Sequence, residues 1–192
     1  MPIIKYSSII NELMKKPVFT AKDLSARGVP KNYIKRLANY LKSKQKIKIV
    51  EKGKYATTDN PFLVAPFLTF PSYISMFSAL FLRRVISQIP MSIQVVTTRK
   101  RKNRVVLYDN TEIEFFKIKN AYFFGFEYIW YENYQIPVAK MEKALIDIYY
   151  FGYSIEGFEV DLSKVDCDTL DEYLTLMERK TLAKKIWRLL KC

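Results

Sequence analysis

Between residues 6 and 42 apolar positions recur every three to four residues, and from 47 to 58 they begin to alternate. The first spacing places a stripe of side chains on one face of a helix; the second is that of a half-buried strand. A first helix is predicted over 6–16, with Tyr6, Ile10, Leu13 and Met14 on one face, Ser7 or Ser8 as its cap and Pro17 as its stop. Thr20 opens a second helix, with Asp23 three residues on in a capping-box arrangement and Phe19 and Leu24 placed as a hydrophobic staple. Arg27-Gly28-Val29 reads as a tight turn, because glycine takes the left-handed conformation without a Cβ clash. Pro30 then starts a third helix at its first position, where a missing N–H costs least. Ile34, Leu37, Ala38 and Leu41 follow i, i+3, i+4, i+7 spacing and face inward. Strands over 47–51 and 54–58, joined at Lys52-Gly53, form a hairpin. Helix, turn, helix and hairpin in this order predict a winged helix-turn-helix over residues 1–60.

Asp59-Asn60-Pro61 interrupts the pattern and marks the boundary with a second domain, residues 61–192. Residues 72–87 are apolar nearly all round, with Ile74, Phe77, Phe81 and Val85 on one face and Met76 and Leu80 beside them. They are predicted as one buried helix. Strands rich in β-branched and aromatic residues follow at 92–98, 104–108, 113–119, 121–131 and 134–138. A helix over 139–151 turns Met141, Leu145 and Ile148 inward, and two more helices are predicted over 168–178 and 180–190. The expected fold class is α+β: a winged helix followed by an α+β domain with a mostly antiparallel sheet and C-terminal helices.

Charge adds a partner to this picture. The 192 residues carry a formal net charge of +13. Residues 1–60 hold 14 Lys and Arg against 4 Asp and Glu, and the rest hold 18 against 15. A basic module on a nearly neutral one suits an anionic partner. Lys31, Asn32, Lys35, Arg36, Asn39 and Lys42 occupy the outward side of the third helix, with Tyr33 among them. In a winged helix that helix enters the major groove, where cations anchor phosphates and Asn or Arg reads base edges. Lys52 and Lys54 flank the hairpin turn and are placed to meet the backbone or minor groove. Arg99, Lys100, Arg101, Lys102 and Arg104 put five cations into six positions after a strand. Three readings of that run stand open: a second phosphate contact, a docking surface for an acidic protein or RNA, and a solvated hairpin loop. Residues 60–82 are uncharged and long enough for a membrane span, but Pro61, Pro66 and Pro71 break the first half, so a buried linker and core helix are expected instead. The start, MPIIKYSS, lacks the apolar run of a signal peptide.

Catalytic options are few. The absence of histidine excludes Ser-His-Asp and Cys-His catalysis, imidazole acid–base work and histidine-containing zinc sites. Two cysteines, Cys167 and Cys192, make no disulfide framework and fit a reducing cytoplasm. Asp166-Cys167-Asp168 has the Asp-x-Asp spacing of magnesium-binding nucleotidyltransferases, but no Gly-Ser turn accompanies it, and a position just before a helix favours capping. Asp109, Glu112, Glu114 and Lys117 resemble a metal-dependent nuclease strand, yet Glu114 and Lys117 are three apart and fall on opposite faces. Lys143 and Asp147, four apart on a helix, read as a surface pair. Five glycines leave little room for a phosphate-cradling loop, and none is present. No catalytic, metal or cofactor-binding residue is assigned.

Five segments, SYISMFSALFLRRVISQIP, VVTTRKRK, IEFFKIK, YFFGFE and VAKMEKALIDIYYF, follow one another behind the predicted winged helix. In that order and spacing, over about residues 5–155, they resemble the AbiEi-type antitoxins of bacterial and archaeal abortive-infection systems. The resemblance implies a two-domain protein without enzymatic activity. It implies a winged helix that represses its own operon at inverted repeats, and a second domain that helps neutralise a nucleotidyltransferase-like toxin. Carried onto this chain, Lys31 to Lys42, Lys52 and Lys54 would contact the operator. The expectation is therefore a cytoplasmic DNA-binding regulator, monomeric or homodimeric, with double-stranded DNA and a cognate toxin as partners. The rival readings are a protein-interaction module that docks an acidic partner and, behind it, a metal-dependent nuclease.

Overall fold

The structure, a computed structural model, describes residues 4–107 and 110–190. The N-terminal unit runs α1 (Ser7–Leu13), β1 (Val18–Thr20), α2 (Ala21–Ala26), α3 (Lys31–Ser43), β2 (Lys48–Glu51) and β3 (Lys54–Ala56). Its strands form a three-stranded antiparallel sheet in the order β1-β3-β2. Leu13, Phe19, Leu24, Leu37, Leu41 and Tyr55 meet in its core, and each aliphatic side chain buried there contributes roughly 1.5–3 kcal/mol. The four apolar positions of α3 are all buried. α1 is shorter than the predicted 6–16 and has Tyr6, not a serine, at its N-cap, with no side-chain hydrogen bond. Pro30 is the N-cap residue of α3, so the helix begins at Lys31, one residue later than predicted. β1 had no counterpart in the sequence pattern: three residues are too few to show an alternation.

The C-terminal unit contains α4 (Pro61–Val64), β4 (Ser72–Ile74), α5 (Met76–Leu82), β5 (Ser92–Thr97), β6 (Arg104–Val106), β7 (Glu112–Lys117), β8 (Phe126–Tyr131), β9 (Tyr134–Ala139), α6 (Met141–Tyr150), α7 (Cys167–Met177) and α8 (Lys180–Leu190). The six strands lie in the order β6-β7-β5-β4-β9-β8. Three pairings are antiparallel, while β4 runs parallel to β9 and β5 parallel to β7. α5 and α6 pack on each other and on the sheet, and α7 and α8 pack on α6. No helix of the described residues is long and apolar enough to cross a membrane.

Two expectations are corrected here. Residues 72–87 are not one helix. Ser72, Tyr73 and Ile74 form β4, a central strand, and the helix begins only at Met76. A segment buried on every side is apolar on every side, so its pattern carries no period to separate strand from helix. Lys143 and Asp147 are not a surface pair. Both are fully buried, and their charged groups meet inside the core. The Asp147 carboxylate also accepts hydrogen bonds from Tyr73 Oη at 3.0 Å and Ser75 Oγ at 2.7 Å.

The boundary near residue 60 joins the two units more than it separates them. Val18 and Ala56 of the N-terminal sheet are buried in the C-terminal core, and Val50 packs against it. Across the same seam, Asn60 donates to Glu132 at 2.5 Å.

Candidate nucleic-acid interface

Local chemistry fixes the geometry around α2 and α3. Thr20 N–H donates to Asp23 Oδ2 at 2.7 Å and Asp23 N–H donates to Thr20 Oγ1 at 3.2 Å, the full capping box. Gly28, at φ +87°, turns the chain out of α2. Arg27 closes the turn from outside by pairing with Glu12 of α1 at 2.7 Å. That contact raises the Arg27 guanidinium and lowers the Glu12 carboxyl relative to their usual ranges, chiefly through the hydrogen bond between them. Lys52 and Gly53 form the two-residue tip of the β2–β3 hairpin, with Gly53 at φ +76°. Ala21 N–H donates to the Gly53 carbonyl at 2.8 Å, so the tip is tied to the start of α2.

These constraints leave an open groove of about 880 Å³ between α2, α3 and the hairpin. Ala21, Ile34, Ala38, Ile49 and Tyr55 give it an apolar lining. Lys22, Lys31, Lys35 and Lys52 stand around it, all exposed, with Asn39 beside them. Among the described residues none of these four lysines is paired with a carboxylate. Their mutual repulsion is therefore uncompensated, and an anion laid along the groove would relieve it.

The predicted residues divide. Lys31, Lys35, Asn39 and Lys52 are brought together at the groove. Asn32 and Arg36 are exposed on α3 outside its lining. Lys42 borders a neighbouring hollow with Lys46 and Lys48. Tyr33 is half-buried, its ring 5.7 Å from that of Tyr6. Lys54 is directed away from the groove: its ammonium is held by Glu51 at 2.7 Å and by the Leu68 carbonyl. Lys22 was not among the sequence candidates. Its place on the rim follows from the Ala21–Gly53 hydrogen bond, a contact across 32 residues that no local pattern announces.

The basic run after β5 is not a uniform cationic loop. Arg104 pairs with Glu112 at 3.3 Å and Glu114 at 3.2 Å. Arg99 donates to the Phe70 carbonyl at 3.3 Å. Arg101 is turned inward and paired with Glu51 at 2.8 Å. Lys100 and Lys102 are exposed. Glu112 and Glu114 are thus engaged by Arg104, and Asp109 lies outside the described residues. Among the described residues no three acids or cysteines are grouped to hold a metal ion. Asp166 caps α7, accepting from Asp168 N–H at 3.0 Å and Thr169 N–H at 3.1 Å. Cys167 opens α7, and Cys192 lies outside the described residues.

No protein-family model matches the chain, and no curated protein matches it. Among solved structures it is similar to the RV2827C protein from Mycobacterium tuberculosis, with a TM-score of 0.63 over 97% of this chain and 76% of that one. The two are 15% identical, so the likeness is one of fold.

Proposed function

We propose that the chain is a DNA-binding regulator whose N-terminal unit works as a winged helix. The observation that carries this reading is the groove: four lysines from α2, α3 and the hairpin tip, none paired with a carboxylate among the described residues, around an apolar lining. Phosphates suit the rim, and the apolar sugar faces of a strand suit the lining. Asn32 and Arg36, exposed beside the groove on α3, supply the base-reading chemistry, while Lys22, Lys31, Lys35 and Lys52 supply sequence-independent affinity. The protein acts by binding and not by turnover; the engagement of Glu112 and Glu114 by Arg104 favours this over a nuclease.

The finer reading is an AbiEi-like antitoxin and autorepressor, active in the cytoplasm with a nucleotidyltransferase-like toxin as its partner. It rests on the ordered sequence motifs of the C-terminal unit. Its test is co-expression with the product of the adjacent gene: rescue of growth supports it, and an adjacent frame with no toxicity removes it.

DNA binding is tested by fluorescence anisotropy on a duplex from the region upstream of the gene. Affinity is expected to fall steeply with salt, with a log–log slope of roughly −3 or steeper. A flat salt profile would overturn the reading. The combined change Lys35→Ala and Arg36→Ala is expected to weaken binding by ~2–4 kcal/mol at fixed salt, one side chain lost from the phosphates and one from the bases.

A further inference from the structure

Arg101 belongs to the exposed basic run by sequence, yet its side chain is only 12% exposed. Its guanidinium carbon lies 3.5 Å from the centre of the Phe115 ring. It donates through Nη2 to Glu51 Oε1 at 2.8 Å and through Nη1 to the Leu68 carbonyl at 3.0 Å. The other Glu51 oxygen accepts from Lys54 Nζ at 2.7 Å, and Lys54 also donates to the Leu68 carbonyl. Two cations therefore share the same two acceptors in a closed ring of contacts. Glu51 and Lys54 belong to the hairpin; Arg101, Leu68 and Phe115 belong to the C-terminal unit.

The hairpin's register explains how it reaches that ring. Ile49 pairs with Tyr55, but Glu51 pairs with Lys54, so the ladder is irregular at Val50. Such an irregularity lets consecutive residues share a side. Val50 packs on the C-terminal core and Glu51 joins Arg101, while Ile49, Lys52 and Tyr55 line the groove. The hairpin is a thin wall, with the lysine-rimmed groove on one side and the C-terminal unit on the other.

We propose that Arg101 is a positioning residue for the basic groove: through Glu51 it fixes the hairpin, and with it the separation of Lys52 from α3, so that the C-terminal unit sets nucleic-acid affinity. The proposal rests on the DNA-binding reading given above. Arg101 touches no nucleic acid in this role. A planar, two-pronged donor stacked on a ring meets the geometry, and a lysine ammonium does not.

The test uses the full chain, a fluorescein-labelled mixed-sequence duplex of roughly 20 base pairs and a range of salt concentrations. The variants are Arg101→Lys, Glu51→Gln, both together, and Lys100→Gln as a control on the exposed part of the run. Each single change at the ring is expected to weaken binding roughly five- to twentyfold at fixed salt with the salt slope unchanged. The double variant should be no weaker than the weaker single one, because both act through one contact. Glu51→Gln removes a negative charge, which by itself favours an anionic ligand, so a loss there isolates position from charge. In the free protein, amide exchange should speed up over residues 48–56 and stay unchanged in α3; that also shows the variants to be folded. If Arg101→Lys does not fold, Glu51→Gln carries the test alone. A further variant, Arg101→Gln, removes the cation; a salt slope reduced by about one in that protein but unchanged in Arg101→Lys would make Arg101 a phosphate contact and overturn the proposal. Unchanged affinity in both ring variants would overturn it as well. If the wild type does not bind the duplex, the nucleic-acid reading fails first and the proposal falls with it; a wild type that binds while the variants bind equally well removes only the role of Arg101.

Discussion

Asp147 places a carboxyl group in the middle of the C-terminal core, fully buried with Lys143, Tyr73 and Ser75 around it. A carboxylate so placed is tolerable only while every oxygen has a donor. Burial, reinforced by the Asp147 charge, pushes the Tyr73 phenol far above its usual range, so Tyr73 remains a neutral donor. Asp147→Ala leaves the Lys143 ammonium buried without its partner and is expected to destabilise the protein by ~3–5 kcal/mol; replacing both residues with apolar side chains of similar size is expected to cost far less. Urea midpoints with an unchanged slope check this, and a loss under about 1 kcal/mol for the single change would refute it. Asp166 shows the surface counterpart. Backbone N–H donors, that of Thr169 foremost, hold its carboxyl below the usual range. A depressed folded value means that its contribution is present above the unfolded carboxylate range and lost as pH falls through the folded value. The urea-midpoint gap between wild type and Asp166→Asn should therefore be open at neutral pH and closed in strong acid; a gap that persists unchanged in acid would count against it.

At the scale of elements, α2 and α3 are set by signals that the sequence carries locally. The capping box at Thr20, the left-handed Gly28 and the buried stripe on α3 all lie where the pattern places them. Thr20→Ala is expected to cost about 0.5–2 kcal/mol through the lost cap, and Leu37→Ala about 2–5 kcal/mol through the cavity it leaves. Chemical denaturation measures both. β4 is the opposite case. Tyr73 and Ile74 pair with Val96 and Val95 of β5, and Ile74 also pairs with Val138 of β9. The strand exists because the sheet has a slot between those neighbours, a condition that lies about 20 and 60 residues away along the chain. Lys54 and Arg101 were equally illegible as candidates. Their charge suggested solvent or phosphate, whereas Glu51 and the Leu68 carbonyl claim them.

For the whole molecule, the consequence of the shared core is cooperativity. Val18 and Ala56 are buried in the C-terminal core, and Val50 packs on it, so the N-terminal unit does not lose its contacts independently. Unfolding is expected as one transition, with tryptophan fluorescence, which reports Trp130 and Trp187 of the C-terminal unit, coinciding with far-ultraviolet circular dichroism. Two separated transitions would show the units to be energetically independent. The same seam gives the charge asymmetry a structural setting: the basic unit is braced from behind by the nearly neutral one, with its lysine-rimmed groove facing out.

The buried stripe of α3, the capping box of α2, the hairpin turn, most strands of the sheet and the concentration of positive charge before residue 60 are legible in the sequence, because each depends on residues within a few positions of one another. Which cations face outward together depends on contacts between distant segments. Lys22 joins the groove, Lys54 and Arg101 turn to Glu51 and the Leu68 carbonyl, and Lys143 with Asp147 becomes a core pair. A charged side chain is exposed or buried according to whether a distant segment supplies its acceptors, and that pairing is a property of the packed chain and not of the local pattern.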